Sequence, residues 1–504
     1  MFNKHVFFCF FGPFALELFS MLNKIKKLIP RKLFLALQPI YHFILSFAAV
    51  MVYGSPSDRL IVIGVTGTTG KTSTVYLLAR ALRAMGYKVG YTSTAMFSDG
   101  NKEWLNDKKM TMVGRFFTQR MIRKMVKNGC EFAIIESTSE GIRQFRHRFI
   151  NFDSLLFTGL YPEHLESHGS FENYKAAKGR LFGHLSFCRT KYINDQKKVI
   201  NPKSQIQKLG FNRVKKTIVV NGDDENAPYF LNFWSERKIA FLFGQPGEAD
   251  LSKFSESTTK DLELFYFNNI KPSVAGTSFE FFPLERAASQ KEQTSLNQEV
   301  SLKLLGAFNA QNSAAVLAVC AGLDLPLEKA QIGLAEVSGL VGKMEKVDAG
   351  QNFTVLVDYA FEPRALEKLY DTMELIPHQR IIHVLGSTGG GRDAARRPIL
   401  GRIAGERADL VIVTNEDPYD DDPQEIIDQV AAGAEEKGKI ISENLLKIID
   451  RREAIRRAFE EAREGDLVMI TGKGGEQFIC SKNNEKIPWD DRLVAKEELS
   501  NLLS

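Results

Sequence analysis

Cysteine is scarce in this chain, and its few cysteines are widely spaced. Only five occur in 504 residues, and no two form a C-x-x-C pair: Cys9, Cys130, Cys188, Cys320 and Cys480. This spacing excludes a zinc ribbon of cysteine pairs and a disulfide-stapled scaffold, and it is typical of proteins from a reducing compartment. We therefore expect buried, unpaired thiols and a cytoplasmic location.

The chain also lacks an apolar run long enough to cross a bilayer. Residues 5–19 and 40–53 are apolar, but each falls short of the roughly 20 residues that a spanning helix needs. Five cations occur between these runs without an acidic residue: Lys24, Lys26, Lys27, Arg31 and Lys32. The pattern favours an amphipathic helical lead-in packed on the first domain. The alternative is a peripheral contact of residues 1–53 with an anionic membrane surface.

Neither sign of charge dominates. Lys and Arg number 66 and Asp and Glu 61, which leaves a net charge of +5. Unless clustered, such an excess does not indicate nucleic-acid binding, and we expect no nucleic-acid partner. Hydrophobic residues make up 44% and charged residues 25%, a globular balance, and the length suggests about three domains.

From Leu60 onward, strands alternate with helices. Leu60–Val65 is a continuous apolar run typical of a buried parallel strand, and a helix is predicted from about Lys71 to Met85. Residues 215–305 instead predict alternating strands, which form a smaller β layer at the side of the first sheet. A second series, beginning near Ser338, predicts strands at Thr354–Val357, Arg380–Leu385, Leu410–Thr414 and Leu467–Thr471.

These patterns predict an α/β protein in three parts. Residues 1–58 form the lead-in. Residues 59–337 form a nucleotide-binding domain with a phosphate loop, a parallel sheet and the smaller β layer. Residues 338–504 form a Rossmann-like domain, whose ligands would bind at the carboxyl ends of the strands.

The segment Ile61–Ser73, with the sequence IVIGVTGTTGKTS, predicts a phosphate loop. A strand enters a glycine-rich turn and then a helix N-terminus, where free N–H groups and the helix dipole hold phosphate. Lys71 would neutralise phosphate charge, and the Thr72 hydroxyl would ligate Mg²⁺. The predicted nucleotide-binding residues here are Gly67, Thr68, Thr69, Gly70, Lys71, Thr72 and Ser73.

The loop T-G-T-T-G-K-T resembles that of the Mur ligases, and further motifs of that family follow in order. They lie at Glu136–Ile142, Phe157–Gly169, Tyr174–Phe182, Gly306–Asn312, Gly342–Glu345, Val357–Ala360 and Gly472–Glu476. The resemblance covers residues 60–480 and is strongest to the UDP-N-acetylmuramoyl-tripeptide synthetase branch.

The resemblance implies an ATP- and Mg²⁺-dependent amide ligase of peptidoglycan-precursor synthesis. Such an enzyme phosphorylates the carboxylate of a muramoyl-peptide precursor, and the amine of an amino acid then attacks the acyl phosphate. The family pattern makes Lys71, Lys178 and His164 catalytic, and it makes the metal ligands Thr72, Glu136, His164 and Lys178, the last as a carbamate. It places Asn309 near the adenine, where N-capping of a helix is the alternative, and it places Lys343 and Asp358 at the nucleotide. The implied amino-acid-binding residues are Arg392, Asp417, Tyr419, Gly472 and Glu476.

Departures from the family pattern leave the substrates open. Only 58 residues precede the ATPase domain, and they show no uridine-pocket pattern, so either UDP is recognised differently or the acceptor is not a UDP-linked precursor. A lipid-linked muramoyl substrate, a folate or a polyamide is the alternative acceptor, and an idle nucleotide-binding protein is a third reading. Tyr419 replaces the arginine of the D-N-P-R motif. Without that cation, Glu416 and Asp417 favour a basic amino acid as donor. We expect a monomer.

Overall fold

The computed structural model describes residues 31–162, 168–193, 199–200, 212–246, 251–286, 297–391 and 394–504. Within this part, the chain forms two large sheets, each flanked by helices, and two small ones. The strands of the first large sheet lie between Ile61 and Leu302, and those of the second between Glu345 and Thr471. The two sheets therefore lie on either side of the boundary predicted near Ser338.

The secondary-structure elements follow each other in βα order over most of the chain. The strands are β1 (Ile61–Thr66), β2 (Val89–Thr92), β3 (Met96–Ser98), β4 (Glu103–Leu105), β5 (Phe132–Glu136), β6 (Ser154–Phe157), β7 (Lys191–Ile193), β8 (Val199–Ile200), β9 (Asn212–Val214), β10 (Thr217–Asn221), β11 (Arg237–Phe243), β12 (Leu262–Ser273), β13 (Gly276–Arg286), β14 (Gln298–Leu302), β15 (Glu345–Val347), β16 (Thr354–Asp358), β17 (Ile381–Leu385), β18 (Leu410–Thr414), β19 (Leu445–Ile448), β20 (Leu467–Thr471), β21 (Phe478–Cys480) and β22 (Lys486–Pro488). The helices are α1 (Arg31–Tyr53), α2 (Lys71–Ala84), α3 (Arg115–Lys127), α4 (Ser139–Arg143), α5 (Phe171–His184), α6 (Ala227–Leu231), α7 (Glu256–Lys260), α8 (Ala307–Gly322), α9 (Leu327–Ala335), α10 (Pro363–Met373), α11 (Arg396–Arg407), α12 (Pro423–Glu435), α13 (Arg451–Glu461) and α14 (Asp491–Leu503).

The first large sheet has the order β14-β13-β12-β11-β10-β6-β1-β5-β2-β3-β4. The strands from β2 to β12 in this order pair in parallel, and antiparallel strands close both edges. Strand β1 lies near the middle and is buried along its whole length, as its unbroken apolar run predicts. The predicted α/β fold class is confirmed.

The β-rich stretch after residue 215 does not form a separate layer. Its strands continue the first large sheet at one edge. Strand β10 pairs with β6, and β11 to β14 follow it in chain order. A separate small sheet does form, but from the earlier strands β7, β8 and β9. The sequence did not separate these arrangements because both give short strands joined by turns.

Alternate residues of β1 face two different layers of helices. Ile61, Ile63 and Val65 pack against α2 and α8, whereas Val62 lies in the core formed with α3, α5 and α6. This alternation follows from the two-residue period of a strand. Because both faces are covered, the ligand-binding groups of the sheet lie at the carboxyl ends of its strands.

The second large sheet has the order β15-β16-β20-β17-β18-β19, with β15 antiparallel to β16 and the remaining pairs parallel. Helices α10, α11 and α12 cover one face, and α13 and α14 cover the other. The four predicted strands and the helices between them are confirmed, with a shift of one residue at the end of β16 and at the start of β17.

Helix α1 lies against the first domain near α3. Ser46 Oγ accepts a hydrogen bond from Arg115 Nε (3.1 Å) and donates one to the carbonyl of Phe145 (2.9 Å). Helix α1 also exposes large apolar side chains: Leu37, Ile40, Tyr41, Phe43, Ile44, Phe47, Met51 and Val52. No helix in the described part of the chain is both long and apolar enough to cross a membrane.

Candidate active site

The predicted phosphate loop joins β1 to α2. Gly67 and Gly70 both have positive φ (152° and 80°), and Gly70 is the N-cap of α2. A Cβ at Gly67 would lie 2.0 Å from Thr158 Oγ1, so this position has room only for glycine. Thr158, directly after β6, donates to the carbonyl of Thr69 (2.7 Å). The loop is therefore braced by the neighbouring strand end.

Both predicted catalytic lysines of the described chain contact this loop. Lys71 Nζ donates to the carbonyl of Thr68 (2.5 Å). Lys178, on α5, donates to the carbonyl of Gly67 (2.7 Å), and its Nζ lies 4.5 Å from the ring centre of Tyr174. Lys178 is only 2% exposed, so it is not a solvated helix lysine. The third predicted catalytic residue, His164, lies outside the described residues.

Two of the predicted metal ligands lie in contact. Thr72 Oγ1 donates to Glu136 Oε2 (3.0 Å), and Glu136 is fully buried at the end of β5. Thr94 holds the same carboxylate through its N–H (2.8 Å) and its hydroxyl (2.9 Å). The structure thus gathers hard oxygen donors beside the loop.

This donor set fits Mg²⁺ better than a softer metal. Mg²⁺ is usually bound by one or two carboxylates, with substrate phosphates and water completing its shell. In the described part of the chain, no group of three or more His, Cys, Asp or Glu residues is arranged to hold a metal. Thr72 and Glu136 supply oxygen donors of this kind beside the phosphate loop.

A cavity of about 950 Å³ lies between the phosphate loop and the C-terminal domain. Its size is within the usual range for small-molecule sites. Ten predicted site residues line it: Thr68, Thr69, Gly70, Lys71, Thr72, Ser73, Glu136, Asn309, Lys343 and Asp358. The structure therefore brings together residues that lie almost 300 positions apart in the chain.

Asn309 lies inside helix α8, whose N-cap is Gly306. The N-capping interpretation of this asparagine is therefore wrong. Its side chain donates to the carbonyl of Leu305 (2.8 Å), and it is 4% exposed at the cavity wall. Neighbouring Asn312 accepts a hydrogen bond from Thr74 Oγ1 (3.4 Å), which connects α8 to α2.

Asp358 ends strand β16 on the C-terminal side of the cavity. It accepts hydrogen bonds from the N–H groups of Met344 (2.8 Å) and Ala360 (2.6 Å). Burial raises the pKa of Asp358, and the nearby Lys343 opposes that rise. These bonds fix the carboxylate and the Met344 backbone next to it.

A second cavity, of about 130 Å³, adjoins the first. Four of the predicted amino-acid-binding residues line it: Asp417, Tyr419, Gly472 and Glu476. The fifth, Arg392, lies outside the described residues. The two cavities share Thr72, Thr94, Thr111, Lys343, Tyr359 and Phe361. The predicted amino-acid residues thus lie next to the phosphate loop.

Two lysines neutralise Asp417. Lys109, from the loop after β4, lies 2.7 Å from Asp417 Oδ2 and 3.1 Å from Glu476 Oε2. Lys473 lies 2.9 Å from Asp417 Oδ1 and 2.5 Å from Glu476 Oε2. Burial alone would raise the pKa of Asp417, but Lys473 and Lys109 outweigh it and lower that pKa.

The expectation of a basic amino acid rested on the absence of a cation near Asp417. That premise is wrong, because Lys109 and Lys473 both supply one. Lys109 approaches from the other domain, more than 300 residues away in sequence, so the D-N-P-R region alone did not reveal it. The charge argument for a basic donor therefore no longer holds.

Glu416 has an unsatisfied acceptor beside the same cavity. Its Oε1 accepts a hydrogen bond from Thr388 Oγ1 (2.9 Å), but its buried Oε2 has no hydrogen-bond partner. Burial raises the pKa of this carboxyl group. A Cβ on Gly472, whose φ is 105°, would lie 2.4 Å from Oε2, so glycine is needed here.

Three residues of the site were missed by sequence reasoning. Lys473 lies inside the recognised motif G-K-G-G-E, so that motif was a usable signal. Lys109 and Thr94 lie in irregular segments, and no spacing in the sequence connects them to Asp417 or Glu136. Their roles depend on how the two domains and the strand ends meet.

Comparisons with known proteins agree with this geometry. Residues 65–214 match the Mur ligase middle domain, and residues 342–474 match the glutamate ligase domain of Mur ligases. A UDP-N-acetylmuramyl-tripeptide synthetase from Roseiflexus sp. (strain RS-1) is 37% identical over 456 residues, which cover 90% of this chain and 81% of the relative. The chain belongs to the Mur ligase family. This confirms the expected class of enzyme, an ATP-dependent ligase of peptidoglycan-precursor synthesis.

Other relatives of this Mur ligase differ in their named substrates. A UDP-N-acetylmuramoyl-L-alanyl-D-glutamate–2,6-diaminopimelate ligase from Geobacillus kaustophilus is 32% identical and covers 88% of this chain and 80% of the relative. Among solved structures, MurF from Acinetobacter baumannii has a TM-score of 0.58 at 14% identity, covering 92% of this chain and 80% of that one. A folylpolyglutamate synthase from Mycobacterium tuberculosis has a TM-score of 0.57 at 16% identity, covering 87% of this chain and 96% of that one. These two structures share the fold.

Proposed function

We propose that this Mur ligase joins an amino acid to the carboxylate of a muramoyl-peptide precursor at the expense of ATP. The observation that carries the proposal is the junction of the two cavities. The larger contains the phosphate loop, and the smaller contains the Asp417 and Glu476 cluster. A carboxylate activated at the loop would therefore lie close to an amine bound in the smaller cavity, because the two cavities share lining residues.

In the first step, an oxygen of the acceptor carboxylate attacks the γ-phosphorus of ATP, and ADP leaves. In the second, the donor amine attacks the acyl phosphate, inorganic phosphate leaves, and the nitrogen loses a proton. Both reactants of the first step are anions, so the main task is to neutralise charge and to align the groups. Lys71 and the N-terminus of α2 are suited to that task.

Mg²⁺ would be held by Thr72 and Glu136, with His164 as a further candidate. The ion would supply charge neutralisation at the phosphates. We also propose that Lys178 acts as a carbamate, which converts a cation into an anion near the metal. Its burial against the phosphate loop supports this role, because a solvated lysine would have no reason to lie there.

The test is a matrix of acceptors and donors. UDP-N-acetylmuramoyl-dipeptide and its lipid-linked counterpart are each incubated with ATP, Mg²⁺ and single amino acids, and phosphate release and product mass are measured. We expect release that requires both an acceptor and a donor, with a product mass equal to the sum of the two minus water. ATP turnover that ignores either partner would contradict the proposal.

The surface of α1 favours a membrane-associated acceptor as the second candidate. Eight large apolar side chains are exposed on α1, and the sequence around residues 24–32 carries five cations and no acid. This combination suits the surface of an anionic bilayer. We propose that residues 1–53 contact that surface while the enzyme works in the cytoplasm as a monomer.

Vesicle sedimentation tests this contact. The full chain should pellet with vesicles that contain phosphatidylglycerol and remain in solution with pure phosphatidylcholine. Replacing Ile44 and Phe47 with serine should abolish pelleting, whereas the same change at exposed Ile440 and Ile441 should not. Equal recovery of both variants with the vesicles would argue against the α1 surface.

A further inference from the structure

Lys109 connects the two cavities of the active site. It lies after β4 in a loop held by Asn106, whose side chain donates to the carbonyls of Ser93 (2.9 Å) and Met110 (3.1 Å). Thr111, two residues further on, shares a hydrogen bond with Thr94 (2.8 Å), the residue that holds Glu136. The position of Lys109 is therefore fixed by the phosphate-loop domain.

Its ammonium group, however, lies in the C-terminal domain. Lys109 contacts both carboxylate oxygens of Asp417 (2.8 and 2.7 Å) and one of Glu476 (3.1 Å), and its side chain is 8% exposed. The second lysine of the cluster, Lys473, has a fully buried side chain. Of these two cations, only Lys109 has a surface that a ligand can reach.

Lys109 and Lys473 together balance the carboxylates of Asp417 and Glu476, and the buried carboxyl group of Glu416 lies in the same cavity. A donor with a bare ammonium at its far end could pair with Glu416 but would offer no partner to Lys109. A donor whose far end carries both charges would offer a partner to each of them.

The same cavity offers a partner for each of those two charges. Lys109 can donate to a carboxylate. The buried Glu416 Oε2, which has no hydrogen-bond partner, can accept from an ammonium, as Asp417 can when Lys109 turns to the ligand. Filling an unsatisfied buried acceptor is favourable because its desolvation has already occurred on folding.

We propose that Lys109 is a specificity-determining residue, which binds the distal carboxylate of a donor whose far end carries both an ammonium and a carboxylate. In this chain Tyr419 occupies the position of the motif arginine, and Lys109 supplies the cation from the opposite domain. The inference rests on the proposed function, because it assigns the donor to the smaller cavity.

The experiment compares two donors that differ only at the far end. meso-Diaminopimelate carries an ammonium and a carboxylate there, and L-lysine carries an ammonium alone. Binding of each is measured by calorimetry on the full chain with a non-hydrolysable ATP analogue. The variants are Lys109→Met, Lys109→Arg and, as the matched control, the neighbouring Lys108→Met, whose lysine pairs with Asp107 at the surface.

Lys109→Met should weaken meso-diaminopimelate binding by about 30-fold, because a buried charge partner is lost, while L-lysine binds equally well or better. Lys109→Arg should keep the preference, and Lys108→Met should match the wild type. The ratio of kcat/KM for the two donors should shift in the same direction.

An equal loss of both donors in Lys109→Met would overturn the inference, as would wild-type protein that binds neither donor. A change confined to the KM of the acceptor would also overturn it. Binding with the expected preference but without ligation would instead contradict the proposed function and leave the role of Lys109 intact.

Discussion

The phosphate loop and the smaller cavity, which we propose to form one active site, are built in different ways. The loop consists of seven consecutive residues that lead into the N-terminus of a helix, and two glycines with positive φ make that path possible. The smaller cavity is lined by side chains from separate segments of both domains, including Lys109, Tyr359, Asp417 and Glu476.

This difference indicates in which of the two sites the bound ligand can change easily during evolution. By our proposal the loop binds the phosphates, which all reactions of this type share, and its path requires glycine at Gly67 and Gly70, where φ is positive. The smaller cavity, which we propose to bind the donor, is lined by charged side chains, so exchange of one residue in one segment can change the substrate. Here the cation that the D-N-P-R motif lacks comes from a different segment.

The largest effect is expected at the loop itself. Lys71→Ala should lower the rate of ligation by about 10²- to 10³-fold or more, because a preorganised cation at the transferred phosphoryl group is lost. Phosphate release measures the rate, and circular dichroism checks that the fold persists. The exposed Lys102→Ala serves as the control. Near-normal turnover in folded Lys71→Ala would remove the phosphate-loop assignment.

A slightly smaller loss, about 10²-fold, is expected for Lys178→Ala, where an anion beside the metal disappears. Added acetate or formate should restore part of the activity, because a small carboxylate can occupy the vacated space. The exposed Arg180→Ala on the same helix gives the comparison for general effects on α5. Unchanged activity in Lys178→Ala would show that no carbamate acts there.

Glu136→Gln tests the contact between the loop and the strand end. The amide keeps the shape of the side chain but loses its charge. We expect the half-saturating Mg²⁺ concentration to rise about 10- to 100-fold, as for other perturbed metal sites. A Mg²⁺ titration of phosphate release measures the change. If the half-saturating Mg²⁺ concentration stays the same, Glu136 is a structural residue and the metal assignment fails.

The smallest effect concerns stability in acid. Burial lowers the pKa of His184 to about 4 and of His383 to about 3, and it lowers the pKa of His147 well below its usual value. These histidines stay neutral in the folded state, but the unfolded chain protonates them near pH 6.5. The contribution of these histidines to the free energy of unfolding is therefore fully present above pH 6.5, and it decreases as the pH falls from there towards 4.

Two of these histidines lie in the first domain, with ring centres 5.4 Å apart, and one lies in the second. Each contributes about 1.4 kcal/mol per pH unit in that window, so the first domain should lose stability faster. Hydrogen exchange at pH 7.5, 6.0 and 5.0 can follow the two domains separately. Equal loss of protection in both domains would contradict the expected order.

Most of the strands were predictable because each is a short apolar run bounded by polar residues. β18 and β20 begin and end at the predicted residues, since unbroken apolar runs with polar ends leave little choice of boundary. The way in which β10 to β14 extend the first sheet was not predictable, because strand partners lie far apart in sequence.

The amino-acid sequence by itself determined the phosphate loop, the strand and helix series, and the family. In each case the information lies within a few consecutive residues, whose backbone preferences and apolar period act locally. Only the tertiary structure decided that Lys109 neutralises Asp417, that Thr94 holds Glu136, and that Glu416 has an unsatisfied oxygen. Such contacts arise where separate domains and strand ends meet, and charge acts through space rather than along the chain.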